Sequence, residues 1–227
     1  MESKLQRTPE WFNVRKYKFT SSCVYKLLTE PRTKAAKEAG ELSETAKSYI
    51  LEKIVQEING FIPEFSSKAT DWGTEQEENA KYWYQFKTSN RVADVQFCEY
   101  NDFYGGSPDS AVIDTRLCDS LDQDVVNVAL EIKCPYNSVN HLQHCLIDSA
   151  EYFKAKHPEY YWQCVSHMIT LNVERCDFVS FDPRIDHPIG MFIFRLEKNE
   201  EDARLLLEKL EAANAYKLKL KIELGLL

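Results

Sequence analysis

The run Asn127-Val128-Ala129-Leu130-Glu131-Ile132-Lys133 constrains the fold of this chain more than any other segment. Side chains alternate faces along a strand. Val128, Leu130 and Ile132 therefore make one apolar face, while Glu131 and Lys133 share the other. Such a segment predicts a buried strand that carries a carboxylate and an ammonium together on a rigid element. Upstream, Ser107-Pro108-Asp109 leads into the apolar run Ala111-Val112-Ile113, and 21 residues separate Asp109 from Glu131. That interval suits a strand, a loop and the return strand, which would bring Asp109 beside Glu131. Two carboxylates in such an arrangement suit Mg²⁺, which takes oxygen ligands and keeps several waters.

Acid-x-lysine on a strand is also a common solvated face. Three features set this one apart: the proline before Asp109, the abrupt strand end at Cys134-Pro135, and a helix opening at Gly73-Thr74-Glu75-Gln76-Glu77-Glu78 whose carboxylates could complete a site.

Around this centre the sequence predicts one α/β domain, a central mixed sheet flanked by helices. A mainly helical N-terminal part covers about residues 1–70, a core about 71–196, and a C-terminal helix about 197–227. Thr20-Ser21-Ser22 is a helix start, and Glu30 to Gly40 reads as a loop or frayed helix. An amphipathic helix follows Ser43, with Ile50, Leu51, Ile54, Val55 and Ile58 on one stripe and Gly60 as its stop. Ile62 to Thr70 reads as a loop. The next helix, Gly73 to Lys87, should pack through Ala80, Trp83, Tyr84 and Phe86. Strands are expected at Val92–Tyr100, Ser110–Thr115 and Asn127–Lys133, with Gly105-Gly106 as the first turn and Asp119–Asp124 as an acidic loop. Helices at Val139–Ala155 and Tyr160–Asn172, strands at Asp177–Phe181 and Met191–Leu196, and a helix from Glu200 complete the pattern.

A net charge of −8 argues against wide, sequence-independent coating of an anionic polymer. The distribution is uneven. Residues 1–60 hold 11 basic and 8 acidic side chains, whereas residues 61–196 hold 11 and 21. The acidity thus coincides with the candidate metal ligands, where bound cations would offset part of it. No run reaches the ~18 apolar residues of a membrane span, and the first residues lack a secretory signal, so a cytoplasmic protein is expected. The seven cysteines are scattered with no C-x-x-C pair, which predicts reduced thiols packed as small hydrophobes rather than a zinc or iron–sulfur site.

Taken together, these segments resemble the phage lambda-type exonucleases, the YqaJ-like viral recombinase family within the PD-(D/E)xK nuclease superfamily. The ordered matches are Leu130-Glu131-Ile132-Lys133-Cys134-Pro135, Ser107-Pro108-Asp109, Gly73 to Glu77, Tyr160-Tyr161-Trp162-Gln163 with Met168 downstream, and Arg15 followed by Thr20-Ser21-Ser22. They run from Glu10-Trp11 to Asp182-Pro183-Arg184, most of the chain. The resemblance implies Mg²⁺-dependent degradation of one strand of duplex DNA from a 5′ end, with Mn²⁺ as a substitute ion. It implies that Asp109, Glu131 and the Ile132 carbonyl hold one metal, that Glu77 (rather than Glu75 or Glu78) helps to hold that ion or a second, and that Gln163 positions water or phosphate. Lys133 would orient the attacking water or act as base; the sequence leaves both roles open. Arg15, Thr20, Ser22 and Ser107 would bind the terminal 5′-phosphate, although Thr20 or Ser22 could equally be a helix cap and Arg15 a surface ion pair. A ring-shaped homotrimer and a single-strand annealing partner are implied in the same way. Two positions depart from the family pattern: Ser110 replaces a glycine after Asp109, and Tyr17 replaces a glycine between Arg15 and Thr20.

Other features have blander readings. His141-x-x-His144 is a possible zinc pair but fits a helix surface better, and Tyr160 to Trp162 fit the core better than base stacking. Trp11-Phe12 reads as a packing anchor, and Lys217, Lys219 and Lys221 as a solvated helix face. The competing functions are a restriction-type or CRISPR-adaptation nuclease, the latter needing clustered cysteines, and a non-catalytic DNA-end-binding protein, which would not require Asp109, Glu131 and Lys133 together.

Overall fold

The computed structural model describes residues 9–60, 67–114 and 125–227. The acidic loop expected at Asp119–Asp124 and most of the loop after Gly60 lie outside them. The predicted strand forms as β6 (Val125–Lys133), in the middle of a five-stranded mixed sheet with β2 (Arg91–Ala93), β5 (Ser110–Asp114), β7 (Arg175–Phe181) and β8 (Met191–Glu197). The order is β2-β5-β6-β7-β8. β6 runs antiparallel to β5 and parallel to β7. The register sets Ser110 opposite Leu130, so Asp109 stands at the strand entrance beside the carboxylate end of β6.

The two faces of β6 meet different layers. Val128, Leu130 and Ile132 pack with Val112, Val179 and Phe181 under helix α4 (Lys68–Thr88), which contributes Ala80 and Tyr84. Ala129 belongs to the larger core on the other side. That core is built on helix α7 (Pro158–Leu171), with α3 (Glu44–Asn59), α6 (Ala150–Lys156) and α8 (Glu200–Glu223). Pro158 opens α7 at its first turn, where its missing N–H costs nothing, and Asn172 closes it in the left-handed region. The period-two reading of β6 therefore holds on both faces.

A smaller sheet of β1 (Phe19–Thr20), β4 (Tyr104–Gly106) and β3 (Cys98–Asn101) ties the N-terminal segment to the core. It leads into the 3-10 helix Ser21–Leu28. Helix α1 (Pro9–Arg15) precedes it, and a short helix, α2 (Lys34–Glu38), follows within the stretch expected to be loop or frayed helix.

Several expectations need correction. Gly105-Gly106 is not a turn but part of β4, where a side chain at 105 or 106 would collide with Cys98, Phe97 or Ser21. The strand expected at Val92–Tyr100 is two short ones. The loop before Gly73 ends earlier, because Ser67 and Thr70 form a capping box that starts α4 at Lys68. On α4, Trp83 and Phe86 are exposed rather than packed, as are Leu51, Val55 and Ile58 on α3. The helix expected at Val139–Ala155 is broken into α5 (Ser138–His144) and α6, since Ser149 caps a new start at Tyr152 N–H. His141 and His144 are buried and both turn Nδ1 to Ser180 Oγ at 2.8 Å. They fasten α5 to β7 from inside the fold rather than lying on a helix surface. Lys217 is also buried, and with Lys221 it clasps Glu57 of α3. The six cysteines among the described residues are all free thiols, and no described helix is long and apolar enough to cross a membrane.

Ser110, the residue in place of the family's glycine, is fully buried, and its hydroxyl has no hydrogen-bond partner among the described residues. It shares a sheet face with Leu130 and Val112. An unpaired buried hydroxyl costs about 1–3 kcal/mol. Ser110→Ala is therefore expected to stabilise the fold by about 1 kcal/mol, a rise of roughly 2–4 °C in melting temperature for a chain of this size. A calorimetric scan that shows the variant melting lower would reverse this assignment.

Candidate active site

One cavity of about 160 Å³ is lined by Trp11, Arg15, Ser21, Ser22, Glu77, Ser107, Asp109 and Gln163. Six of these are residues singled out in the sequence: Arg15, Ser22, Glu77, Ser107, Asp109 and Gln163. They arrive from α1, the 3-10 helix, α4, the β4–β5 turn and α7, so residues separated by up to 148 positions share one space. Of Glu75, Glu77 and Glu78 on α4, the one lining the cavity is Glu77, whose carboxylate also pairs with Lys81 at 3.2 Å.

Glu131 and Lys133 stand on β6 near Asp109, outside the lining of that cavity. Glu131 is completely buried. Its Oε2 accepts a hydrogen bond from His167 Nε2 at 2.8 Å, and its Oε1 pairs with the Lys133 ammonium. Asp109 is fixed in two ways: its N–H donates to the Leu130 carbonyl at 3.1 Å, and its Oδ2 accepts the Ile132 N–H at 2.6 Å. Ile132 thus enters the site through its amide.

Electrostatics separate the two carboxylates. Burial, reinforced by the facing Glu131 charge, holds the Asp109 carboxyl well above the usual range. Burial acts on Glu131 too, but the Lys133 ammonium and the His167 hydrogen bond outweigh it and keep that carboxyl below its ordinary value. Burial opposes the charge of Lys133, yet Glu131 and Asp109 together raise its pKa. Its ammonium also lies 5.3 Å from the centre of the Tyr160 ring. Two acids that repel each other beside one cavity are the environment a cation relieves.

Among the described residues, no three His, Cys, Asp or Glu side chains form a ready-made metal cluster. The donor set nevertheless fits Mg²⁺, which is usually held by one or two carboxylates and completes its shell with water and substrate phosphate. Asp109 and Glu131 are such a pair, and Glu77 borders the same space.

The other half of the cavity carries a guanidinium and several hydroxyls. The Arg15 guanidinium stacks on the Trp11 ring, 3.7 Å from its centroid, and the Trp11 indole N–H donates to Ser107 Oγ at 3.0 Å. Trp11 therefore borders the cavity and is more than a packing anchor. Ser21 is a second residue the sequence reading left without a role. Its Oγ accepts from Ser166 Oγ of α7 at 2.7 Å, and Ser166 is bonded in turn to Tyr104. Thr20 does not line the cavity. It is buried, its N–H donates to Tyr49 Oη at 3.1 Å, and its hydroxyl makes no cap to the 3-10 helix. Tyr17, where the family pattern has glycine, sits at φ 70°. That left-handed backbone explains a preference for glycine, and Arg15 reaches the cavity without one. The aromatic run after Tyr160 packs as expected: Tyr161 donates to Asp202 and Trp162 is buried.

Comparison with known proteins identifies the family and the fold. The sequence profile of the YqaJ-like viral recombinase domain matches residues 10–174. Among solved structures, an alkaline exonuclease (LHK-Exo) from Laribacter hongkongensis is similar, with a TM-score of 0.74 and 26% identity over 96% of both chains. The same enzyme in complex with dAMP gives a TM-score of 0.73 and 27% identity, over 96% of this chain and 98% of that one. A phage related exonuclease from Haemophilus somnus 129PT shares the fold, with a TM-score of 0.72 and 24% identity over 93% and 98%. No curated protein sequence matches the chain. The chain belongs to the YqaJ-like viral recombinase family and has its mixed α/β, PD-(D/E)xK-type nuclease fold.

Proposed function

We propose that this nuclease is a Mg²⁺-dependent 5′-to-3′ exonuclease that acts on double-stranded DNA ends and leaves 3′ single-stranded tails for annealing-based recombination. The observation that carries the reading is the shared cavity, in which Arg15, Ser22 and Ser107 face the same small space as Asp109, Glu77 and Gln163. A terminal phosphate seated on the guanidinium and hydroxyls would place the next phosphodiester beside the carboxylates. Arginine suits this task because its planar donors match phosphate oxygens two at a time. An enzyme that cut within continuous duplex would have no need of such an end seat.

In this reading Asp109, Glu131 and the Ile132 carbonyl are the metal ligands, with Glu77 as a further one. A bound Mg²⁺ would lower the pKa of water and neutralise charge on the phosphate. Lys133, kept cationic by its two acidic neighbours, orients the attacking water and stabilises developing negative charge. Gln163 donates from α7 to the water or to a phosphate oxygen. Ser21 joins Arg15, Ser22 and Ser107 in holding the terminal phosphate, in place of the Thr20 side chain. A homotrimer around DNA, a cytoplasmic location and a single-strand annealing partner belong to the same proposal by family likeness, and Mn²⁺ is expected to replace Mg²⁺.

The direct test compares linear duplex with and without a 5′-phosphate and closed circular DNA, each with Mg²⁺ and with chelator. Shortening of one strand, stimulated by the 5′-phosphate and abolished by chelator, is expected, with circles left intact. Nicked circles would instead make the protein an endonuclease, and binding of ends without cleavage would make it a non-catalytic end-binding protein. Lys133→Ala is expected to lower kcat by roughly 10²–10³-fold or more, the cost of losing one transition-state donor, while gel-shift binding of DNA persists. Near-normal turnover in that variant would displace Lys133 from the site. Arg15→Ala removes charged hydrogen bonds worth about 1.5–3 kcal/mol, so the preference for phosphorylated ends should fall about 10–100-fold. Equal losses on both end types would remove Arg15 from the phosphate seat.

A further inference from the structure

We propose that His167 is a positioning residue for Glu131: its Nε2–H holds one carboxylate oxygen so that only the other is open to a cation. The inference rests on the metal-dependent reading above and adds a residue to it. His167 stands on α7 one turn after Gln163. It is completely buried, and it points at a carboxylate that is also completely buried. The Nε2···Oε2 distance is 2.8 Å.

Glu131 is held as a carboxylate by Lys133, so it accepts, and the hydrogen of this bond lies on His167 Nε2. The other ring nitrogen, Nδ1, is buried without a hydrogen-bond partner among the described residues. It faces Gly106, where even a methyl group would approach it to 3.3 Å and would collide with Ser21 Oγ at 2.1 Å. An unpartnered acceptor is the tolerable state here, because an Nδ1–H would be a buried donor with nothing to bind. The imidazole is thus fixed in one tautomer with a single polar task.

The two contacts of Glu131 are not equivalent. Lys133 is partly exposed and carries a flexible four-carbon stem, so it can leave Oε1 when a cation arrives. His167 is locked between α7, β4 and β6, and cannot leave Oε2. Glu131 therefore meets an ion through Oε1 alone and in one rotamer. Groups of this kind behind a metal ligand typically alter affinity about 10–100-fold when removed.

The test uses His167→Gln, whose amide nitrogen can reproduce the Nε2–H donor, and His167→Met, which fills similar volume without a donor. Mg²⁺ affinity is measured by calorimetry on full-length protein without DNA, after melting curves have shown that each variant is folded. His167→Met is expected to weaken Mg²⁺ binding about 10–100-fold, with His167→Gln close to the parent protein. The Mg²⁺ concentration for half-maximal cleavage should rise by the same factor, while KM for DNA and the 5′-phosphate preference stay unchanged. If the methionine variant does not fold, His167→Asn, polar but too short to reach Oε2, makes the same comparison. Equal Mg²⁺ affinity in the donor and non-donor variants overturns the inference. So does a non-donor variant whose turnover falls while its Mg²⁺ affinity is intact. Failure of the parent protein itself to bind Mg²⁺ overturns the functional reading and this inference together, which separates the two.

Discussion

A carboxylate buried to the last atom organises this protein. Glu131 has no contact with solvent, so its charge must be neutralised by hydrogen bonds and partners that the fold keeps in place. Lys133 supplies one partner from the same strand face, and His167 supplies the other from α7. Stripping one partner from a buried pair costs about 3–5 kcal/mol, enough to consume much of the stability of a typical domain. Helix α7 is therefore bound to sit close against β6 at one fixed rotation. That rotation also places Gln163 at the cavity and Ser166 against Ser21.

The coupling extends to the Arg15 half of the cavity. Ser21 opens the 3-10 helix that carries Ser22, and it is bonded to Ser166, the residue next to the carboxylate contact His167 on α7. Ser107 follows Gly106, whose lack of a side chain lets Ser21 and His167 approach. The Arg15 and serine half of the cavity and the carboxylate pair are thus not two sites that share a border. They are held by one helix through bonds at successive positions, a rigid arrangement of the kind a reaction on one neighbouring phosphodiester needs.

Much of the centre was legible because β6 obeys a strict period of two with an apolar face that leaves no alternative register. The helix ends were legible where a cap acts locally, as at Ser43 and Gly60. Patterns failed where burial depends on a distant layer. The stripe on α3 suggests one face for Ile50, Leu51, Ile54, Val55 and Ile58, but α8 and the 3-10 helix cover only Ile50 and Ile54. Trp83 and Phe86 fail in the same way on α4, since a helix laid over a sheet buries a narrower stripe than its hydrophobic residues fill. His167 and Trp11 were invisible for another reason. A lone histidine in an apolar helix and a tryptophan beside an aromatic neighbour carry no spacing signal, and their tasks exist only after β4, β6 and α1 have come together.

The two departures from the family's glycine pattern show how a site tolerates change at its edges. Tyr17 takes a left-handed backbone that costs an L residue of this size about 1–2 kcal/mol, and Ser110 buries an unpaired hydroxyl beneath α4. Neither position supplies a carboxylate or a guanidinium. The strain at Tyr17 is borne by the link between α1 and β1, and the cost at Ser110 falls on the apolar face of the sheet, opposite Glu131. Both penalties are paid in stability, and the fold is less than optimal at these two positions.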